Sequence, residues 1–350
     1  MEYSICADCF NDEEIKNIVL SCKKNGHCDC CGRDNVFVVD DEDISVFISP
    51  YCQLFMAYNY DEPEYNSHFG GNLYALLERE KLFIDPEKIK NTPCDCVYDA
   101  LFATDDVDYM YSEHGCEHAV KDFCYHKEFK EDDVFSKQIN LIEKIYNKIK
   151  FYVKNEPVKS ILYRARIGYA KQEHGIFYPY KDNEIGAAPF KKCPEGRANR
   201  SFVSFLYLSV DVETVIHEIR ATKGDFVSVG AFRPKRTLNI FNLANPDILK
   251  CSRNPSNAVS ILQNISFMNY LFSRPTGSSD KYIYLPTQLF VEKLINEDYD
   301  GISFRSSFTD ELNYVIFDPS LFEFILNSEK LYTIESVETS FDEYKPYGDL

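Results

Sequence analysis

Two cysteine pairs open the chain. Cys6-Ala-Asp-Cys9 and Cys28-Asp-Cys30-Cys31 each hold two thiols three positions apart, and eighteen residues separate the pairs. Two residues between thiolates let both sulfurs reach one ion on a tight turn, and four sulfurs complete the tetrahedron that Zn²⁺ takes. Such a site has no open coordination position, so its role is structural: it folds a small unit that lacks a core of its own. Cys30 and His27 are further ligand candidates, and a cluster of free thiols around a turn is the alternative. The intervening NDEEIKNIVLSCKKNG reads as a helix ending at Gly26. A second group (Cys94, Cys96, His114, Cys116, His118, Cys124 and His126) fits no compact four-ligand pattern.

The second half carries a different set of polar groups. On Ser160–Ile167, a period of two puts Leu162, Arg164 and Arg166 on one face of a strand and Tyr163, Ala165 and Ile167 on the other. An Arg beside Leu on a sheet face is suited to hold a phosphate with both arms of its guanidinium. Gly196-Arg197-Ala198-Asn199 is a polar loop with another anion ligand. Tyr207 sits on a strand, and Asp211 caps the helix that follows, whose apolar face is Val212, Val215, Ile216 and Ile219. Glu218 lies at the border of that face, where a carboxylate can meet a developing positive charge. Asp300-Gly301 turns the chain into a strand on which Ile302, Phe304 and Ser306 share a face.

The elements that must position these groups fall on either side of residue 155. Eleven of the thirteen Cys precede residue 125. Ile139, Ile142, Ile145, Ile149 and Tyr152 have helical spacing, and that helix ends before Glu156-Pro157. Beyond it come strands over 160–167, 202–209, 225–232, 237–242, 301–306 and 314–318. Helices are expected over 211–220, 257–269 and 287–296. The pattern predicts an α+β fold: a small Cys₄ zinc knuckle and a helix that ends near residue 155, then a domain with a mixed or antiparallel β core.

LYRARIG, EIGAAPF, GRAN, LYLSVDVETVIHEIR, GDFVSVGAF, the Ser273–Pro275 SRP, YLPTQ and DGISFRSS follow one another in this order over residues 159–320. The series resembles the RES domain, a family of NAD⁺-consuming toxins. The N-terminal CxxCF…GxCxxCG and the region after it resemble the HEPN-like leader found ahead of some RES domains. The resemblance implies a fold like that of ADP-ribosyltransferases. It divides the chain into a zinc knuckle (1–38), a mainly helical HEPN-like leader (39–155), a RES catalytic domain (156–330) and a C-terminal extension (331–350). By motif it makes Arg164, Tyr207, Glu218 and Ser306 the catalytic set, with Arg166, Arg197 and Asn199 binding substrate. Family members usually continue the GRxN loop with a Pro and a Gly. Here Arg200-Ser-Phe-Val-Ser-Phe205 has neither, which predicts another path for the loop. No Arg-x₄₋₆-His follows Arg79, so the leader lacks the nuclease motif of many HEPN domains and reads as a recognition or scaffold element.

The activity implied is cleavage of the nicotinamide bond of NAD⁺. Inorganic phosphate is the co-substrate, and nicotinamide and ADP-ribose-1″-phosphate are the products. Hydrolysis, protein ADP-ribosylation, or nucleotide binding without turnover are the alternatives. A helix-turn-helix antitoxin or another inhibitor is an expected partner, and a homo-oligomer is compatible with the sequence. The chain has 350 residues, with 38 Lys+Arg against 56 Asp+Glu, a formal charge of −18. An acidic surface repels phosphate backbones, which argues against direct nucleic-acid binding. No stretch of about 18 apolar residues occurs, so no membrane span is expected. Neither is a secretion signal, and the expected location is cytoplasmic, where thirteen Cys are not a disulfide framework.

Overall fold

In a computed structural model, residues 4–11, 13–40, 55–58, 106–109, 131–154, 158, 160–247, 250–251, 253–254, 256–274, 284–309 and 311–338 are described. The Cys/His group between residues 94 and 126 and most of the expected helical leader lie outside them. The chain forms two units: Met1–Lys154 with Asn245–Leu271, and Asn155–Ala244 with Phe272–Leu350. The return of residues 245–271 to the first unit carried no signal in the sequence.

The first unit opens with strand β1 (Ser4–Cys6), helix α1 (Glu13–Cys22), and strands β2 (Asn25–Gly26) and β3 (Val36–Asp40). The strands form an antiparallel sheet in the order β1-β3-β2. Ile15 and Val19, one turn apart on α1, are buried together with Ile5, Phe10, Val38 and Val39. The helix stops four residues short of the expected Gly26 because Lys23 turns left-handed (φ 52°), which frees Asn25-Gly26 to pair with β3. Strands β4 (Phe55–Tyr58) and β5 (Asp106–Tyr109) pair antiparallel, so the leader expected to be mainly helical contains sheet. Helix α2 (Glu131–Ile149) buries Ile142, Ile145, Tyr146 and Ile149, whereas Ile139, expected on the same stripe, is 39% exposed. The chain returns through a Val153–Pro246 bridge.

The second unit is an eight-stranded mixed sheet. Its strands are β6 (Leu162–Ile167), β9 (Leu206–Ser209), β10 (Phe226–Pro234), β11 (Ile240–Asn242), β12 (Gly301–Arg305), β13 (Leu312–Ile316), β14 (Phe322–Phe324) and β15 (Lys330–Thr333). β7 (Lys171–Glu173) and β8 (Ile176–Tyr178) form a separate hairpin turned at His174-Gly175, both left-handed. The sheet order is β11-β12-β13-β9-β6-β10-β14, with β15 also on β10; only β11 and β12 run parallel. β15 lies across the boundary expected at residue 330, so the start of the expected extension is part of the sheet. One face buries Leu162, Leu206, Leu208, Phe232, Ile240 and Ile316. The other buries Ala165, Val227 and Val229 beneath Val215 of helix α3 (Val212–Glu218). Asp211 caps α3 by accepting from the Thr214 N–H at 2.8 Å. Helix α4 (Ala258–Ser273) spans the division between the units. Helix α5 (Tyr284–Asn296) carries Pro286 in its first turn, where an N–H has no partner to lose. Among the described residues no helix is long and apolar enough to cross a membrane.

Candidate active site

The sheet has a seam. β6 pairs with β10 over six residues, but with β9 only at Tyr163–Ser209. Beyond that pair the two strands diverge, and the Arg164 guanidinium crosses the gap to donate to the Tyr207 carbonyl at 3.0 Å. A cavity of about 450 Å³ opens there, lined from both faces of the sheet: Arg164, Leu208 and Tyr314 from one, Ala165, Ser209, Asn313 and Val315 from the other. Arg164 Nε is buried and has no hydrogen-bond partner. Burial pulls its pKa down, since the charged form has lost its water. A buried guanidinium with an idle donor and no carboxylate beside it is half of an ion pair whose other half is an anion.

Glu218, the last residue of α3, meets the same cavity. Its Oε1 accepts from Ser306 Oγ at 2.7 Å and from Asn313 Nδ2 at 2.5 Å. Ser306 lies just past β12, does not line the cavity, and is tied by the Phe308 N–H at 3.1 Å. It therefore stands behind the carboxylate. Arg164, Tyr207 and Glu218 share the cavity; Ser306 reaches it through Glu218.

The loop of residues 193–200 forms one wall. Tyr207 donates from its hydroxyl to Asn199 Oδ1 at 2.6 Å, and burial raises its pKa, so the phenol stays neutral. Asn199 Nδ2 in turn donates to the Pro194 and Arg200 carbonyls at 2.9 and 3.0 Å. Gly196 is required: a Cβ there would stand 2.7 Å from Asn199 Oδ1 and 3.0 Å from the Tyr207 hydroxyl oxygen. The first turn of α5 latches this loop. Thr287 Oγ1 donates to the Arg197 carbonyl at 2.6 Å, and Gln288 Nε2 to the Gly196 and Asn199 carbonyls at 2.9 and 3.1 Å. Arg197 is thereby aimed at the cavity, where it donates to the Phe272 carbonyl and burial lowers its pKa. The segment that lacks the family's Pro and Gly nevertheless contains a left-handed residue. Phe202 adopts φ 67°, held by its N–H on the Cys193 carbonyl at 3.1 Å, and its side chain is left 67% exposed.

Arg166 does not join the cavity. It is exposed, lies over the Tyr180 ring at 4.5 Å, and donates to the Glu184 carbonyl. Its hold on Tyr180 and Glu184 keeps it apart from Arg164 although the two share a strand face. Residues that sequence reasoning missed are Asn313, Ser209, Thr287 and Gln288, all buried polar groups. A polar side chain inside ELNYVIFD, between apolar strand positions, was the available signal for Asn313.

The N-terminal cysteines converge as the spacing required. The sulfurs of Cys6, Cys9, Cys28 and Cys31 all lie within 4.8 Å of one another, with Cys6–Cys9, Cys6–Cys31 and Cys9–Cys28 at 3.6, 3.7 and 3.7 Å. A tetrahedron of sulfurs at zinc–thiolate bond length has edges of about 3.8 Å, so the donor set fits such an ion. The Cys6 N–H donates to Cys28 Sγ at 3.2 Å, and Arg33 donates to Cys31 Sγ at 3.2 Å and to Cys6 Sγ at 3.5 Å. His27 is turned to Asp34 at 2.7 Å, and buried Cys30 is outside the set of four.

No curated protein matches the chain. Among solved structures it is similar to the crystal structure of the M. tuberculosis MbcT-MbcA toxin-antitoxin complex. Identity is 11% and the TM-score 0.31, over 55% of this chain and 92% of that one. The RES domain family model matches residues 161–336, which hold the whole cavity and the latch around it. That match spans just over half of the 350 residues, and the chain belongs to the RES domain family.

Proposed function

We propose that the chain degrades NAD⁺ at the seam cavity, by phosphorolysis to nicotinamide and ADP-ribose-1″-phosphate, and acts as a toxin or defence effector by depleting the dinucleotide. One observation carries this reading. A buried guanidinium without a carboxylate and a carboxylate with one oxygen pinned and one free, 54 positions apart in the chain, line a single cavity. The divided sheet supports an ADP-ribosyltransferase-like arrangement, and membership of the RES family supports NAD⁺ as the substrate.

Nicotinamide leaves as a neutral molecule because the pyridinium nitrogen takes the bonding pair of the C–N bond. No general acid is needed. The demand is on the sugar, whose anomeric carbon becomes cationic, and a fixed carboxylate stabilises such a charge. Glu218 takes that role. A phosphate oxygen, already ionised, then forms the new C–O bond without a general base. Arg164 and Arg197 supply the positive charge that holds phosphate or the pyrophosphate of the dinucleotide. The Tyr207 ring forms a wall for the nicotinamide riboside, while its hydroxyl fixes the Asn199 loop. Asn199 serves by shaping that loop and Ser306 by supporting Glu218, and Arg166 is left a surface role. At the other end of the chain, Cys6, Cys9, Cys28 and Cys31 would hold a structural Zn²⁺ that ties β1 to the Cys28–Cys31 turn. The family reading also implies a partner that restrains the activity, a helix-turn-helix antitoxin being the expected type.

The test is the product. With NAD⁺ and phosphate, mass spectrometry should find nicotinamide and ADP-ribose-1″-phosphate, and omission of phosphate should stop turnover. Plain ADP-ribose with or without phosphate would mean hydrolysis, and a labelled acceptor would mean protein ADP-ribosylation. Binding of ADP-ribose without nicotinamide release would reduce the cavity to a nucleotide sensor.

A further inference from the structure

Asn313 belongs to no motif that pointed to the site, yet it is the residue through which the sheet grips Glu218. It lies on β13, opposite Ser209 of β9, so the two side chains stand as neighbours on the cavity face. Ser209 Oγ donates to Asn313 Oδ1, which leaves the amide nitrogen facing Glu218. That nitrogen donates at 2.5 Å to Oε1, the oxygen that also accepts from Ser306. Oε2 receives no hydrogen bond among the described residues, although the side chain faces the cavity. Two donors on one oxygen restrain the carboxyl group and leave the other oxygen without a hydrogen bond.

We infer that Asn313 is a positioning residue for the reaction proposed above. With Ser306 it makes Glu218 a one-oxygen catalyst whose Oε2 alone meets the ribose in the transition state. Ser209 is the support that holds the amide the right way round. This inference rests on the NAD⁺-cleaving reading of the cavity. It differs in what it asks of the protein: the identity of residue 313 should matter to the rate and not to substrate affinity.

Asn313→Asp keeps the shape and the acceptor for Ser209 but turns an oxygen toward Oε1. In the full-length protein, kcat for nicotinamide release should fall about 100-fold, the scale on which one fixed donor acts. KM should stay within about threefold, as for an interaction made only in the transition state. In a Glu218→Gln background the same substitution should cost less than about threefold, because its effect passes through the carboxylate. If Asn313→Asp lowers the melting temperature markedly, Ser306→Ala reads the same oxygen from the other side and should lower kcat about tenfold, again at constant KM. Unchanged kcat in Asn313→Asp, or a full additional loss in the Glu218→Gln background, would overturn the inference while leaving NAD⁺ cleavage standing. A wild-type protein that releases no nicotinamide would remove the functional reading and this inference together.

Discussion

The cysteine knuckle and the seam cavity are two places where burial opposes ionisation, of thiols at one and of guanidinium groups at the other. At the knuckle four sulfurs crowd within 4.8 Å, and burial, with the Cys28 thiol beside it, pushes the Cys6 thiol up to about 11. Only a cation relieves that crowd, and Arg33, reaching two of the sulfurs from the surface, relieves it in part. At the seam burial lowers the pKa of two guanidinium groups, Arg164 with no carboxylate beside it and Arg197 in spite of the Glu218 carboxylate, and an anion relieves both. On the reading proposed above, the first site, closed by its own ligands, serves folding, and the second, which stays open, serves turnover. An electrostatic deficit therefore names the sign of the missing group, and the openness of the site tells whether that group is resident or transient.

Metal removal gives the largest expected effect on the comparison. The intact protein should carry one zinc per chain by elemental analysis. Cys9→Ser should lose it together with the fold of residues 4–40, since structural zinc sites contribute about 10–16 kcal/mol at neutral pH. Retention of a folded, metal-free knuckle would make it a thiol cluster and erase the contrast. Next is Arg164→Met. Affinity for NAD⁺ or phosphate by calorimetry should drop at least about tenfold, while thermal stability should hold or rise, because a buried charge without a partner has been removed. A large loss of stability would instead show that its bond to the Tyr207 carbonyl is what holds β6 to β9. Gly196→Ala should cost about 1–3 kcal/mol by denaturant titration, because the Cβ collides with Asn199 and the Tyr207 hydroxyl. The smallest effect has the opposite sign. Phe202→Gly should stabilise the protein by about 1 kcal/mol, since glycine takes φ 67° without strain.

How much of this was legible in the sequence follows from the range of the interactions. The CxxC pairs could be read because both sulfurs of a pair come from one turn. Arg164 could be placed opposite Ala165 because alternation along a strand is local, and the Asp211 cap because it spans three residues. Arg166 shows where such reasoning stops. Alternation sets its face, but its capture by Tyr180 and Glu184 depends on how a loop beyond the strand folds back. Ser306 was tied to the site but not to its place behind Glu218, because that depends on how far β12 runs before the chain turns. Asn313 and the Thr287–Gln288 latch act on partners about 90 residues away, and no local pattern encodes them.

The seam has a mechanical consequence. Four strands, β11, β12, β13 and β9, lie on one side and four, β6, β10, β14 and β15, on the other. Among the described residues one backbone rung and the Arg164 arm join the two edges within the sheet, and the apolar core on one face and α3 on the other span them. Any molecule lodged between them becomes an extra stitch across the tear line. Its arrival should register as slowed deuterium uptake along Leu206–Ser209 well before any shift in the outer strands.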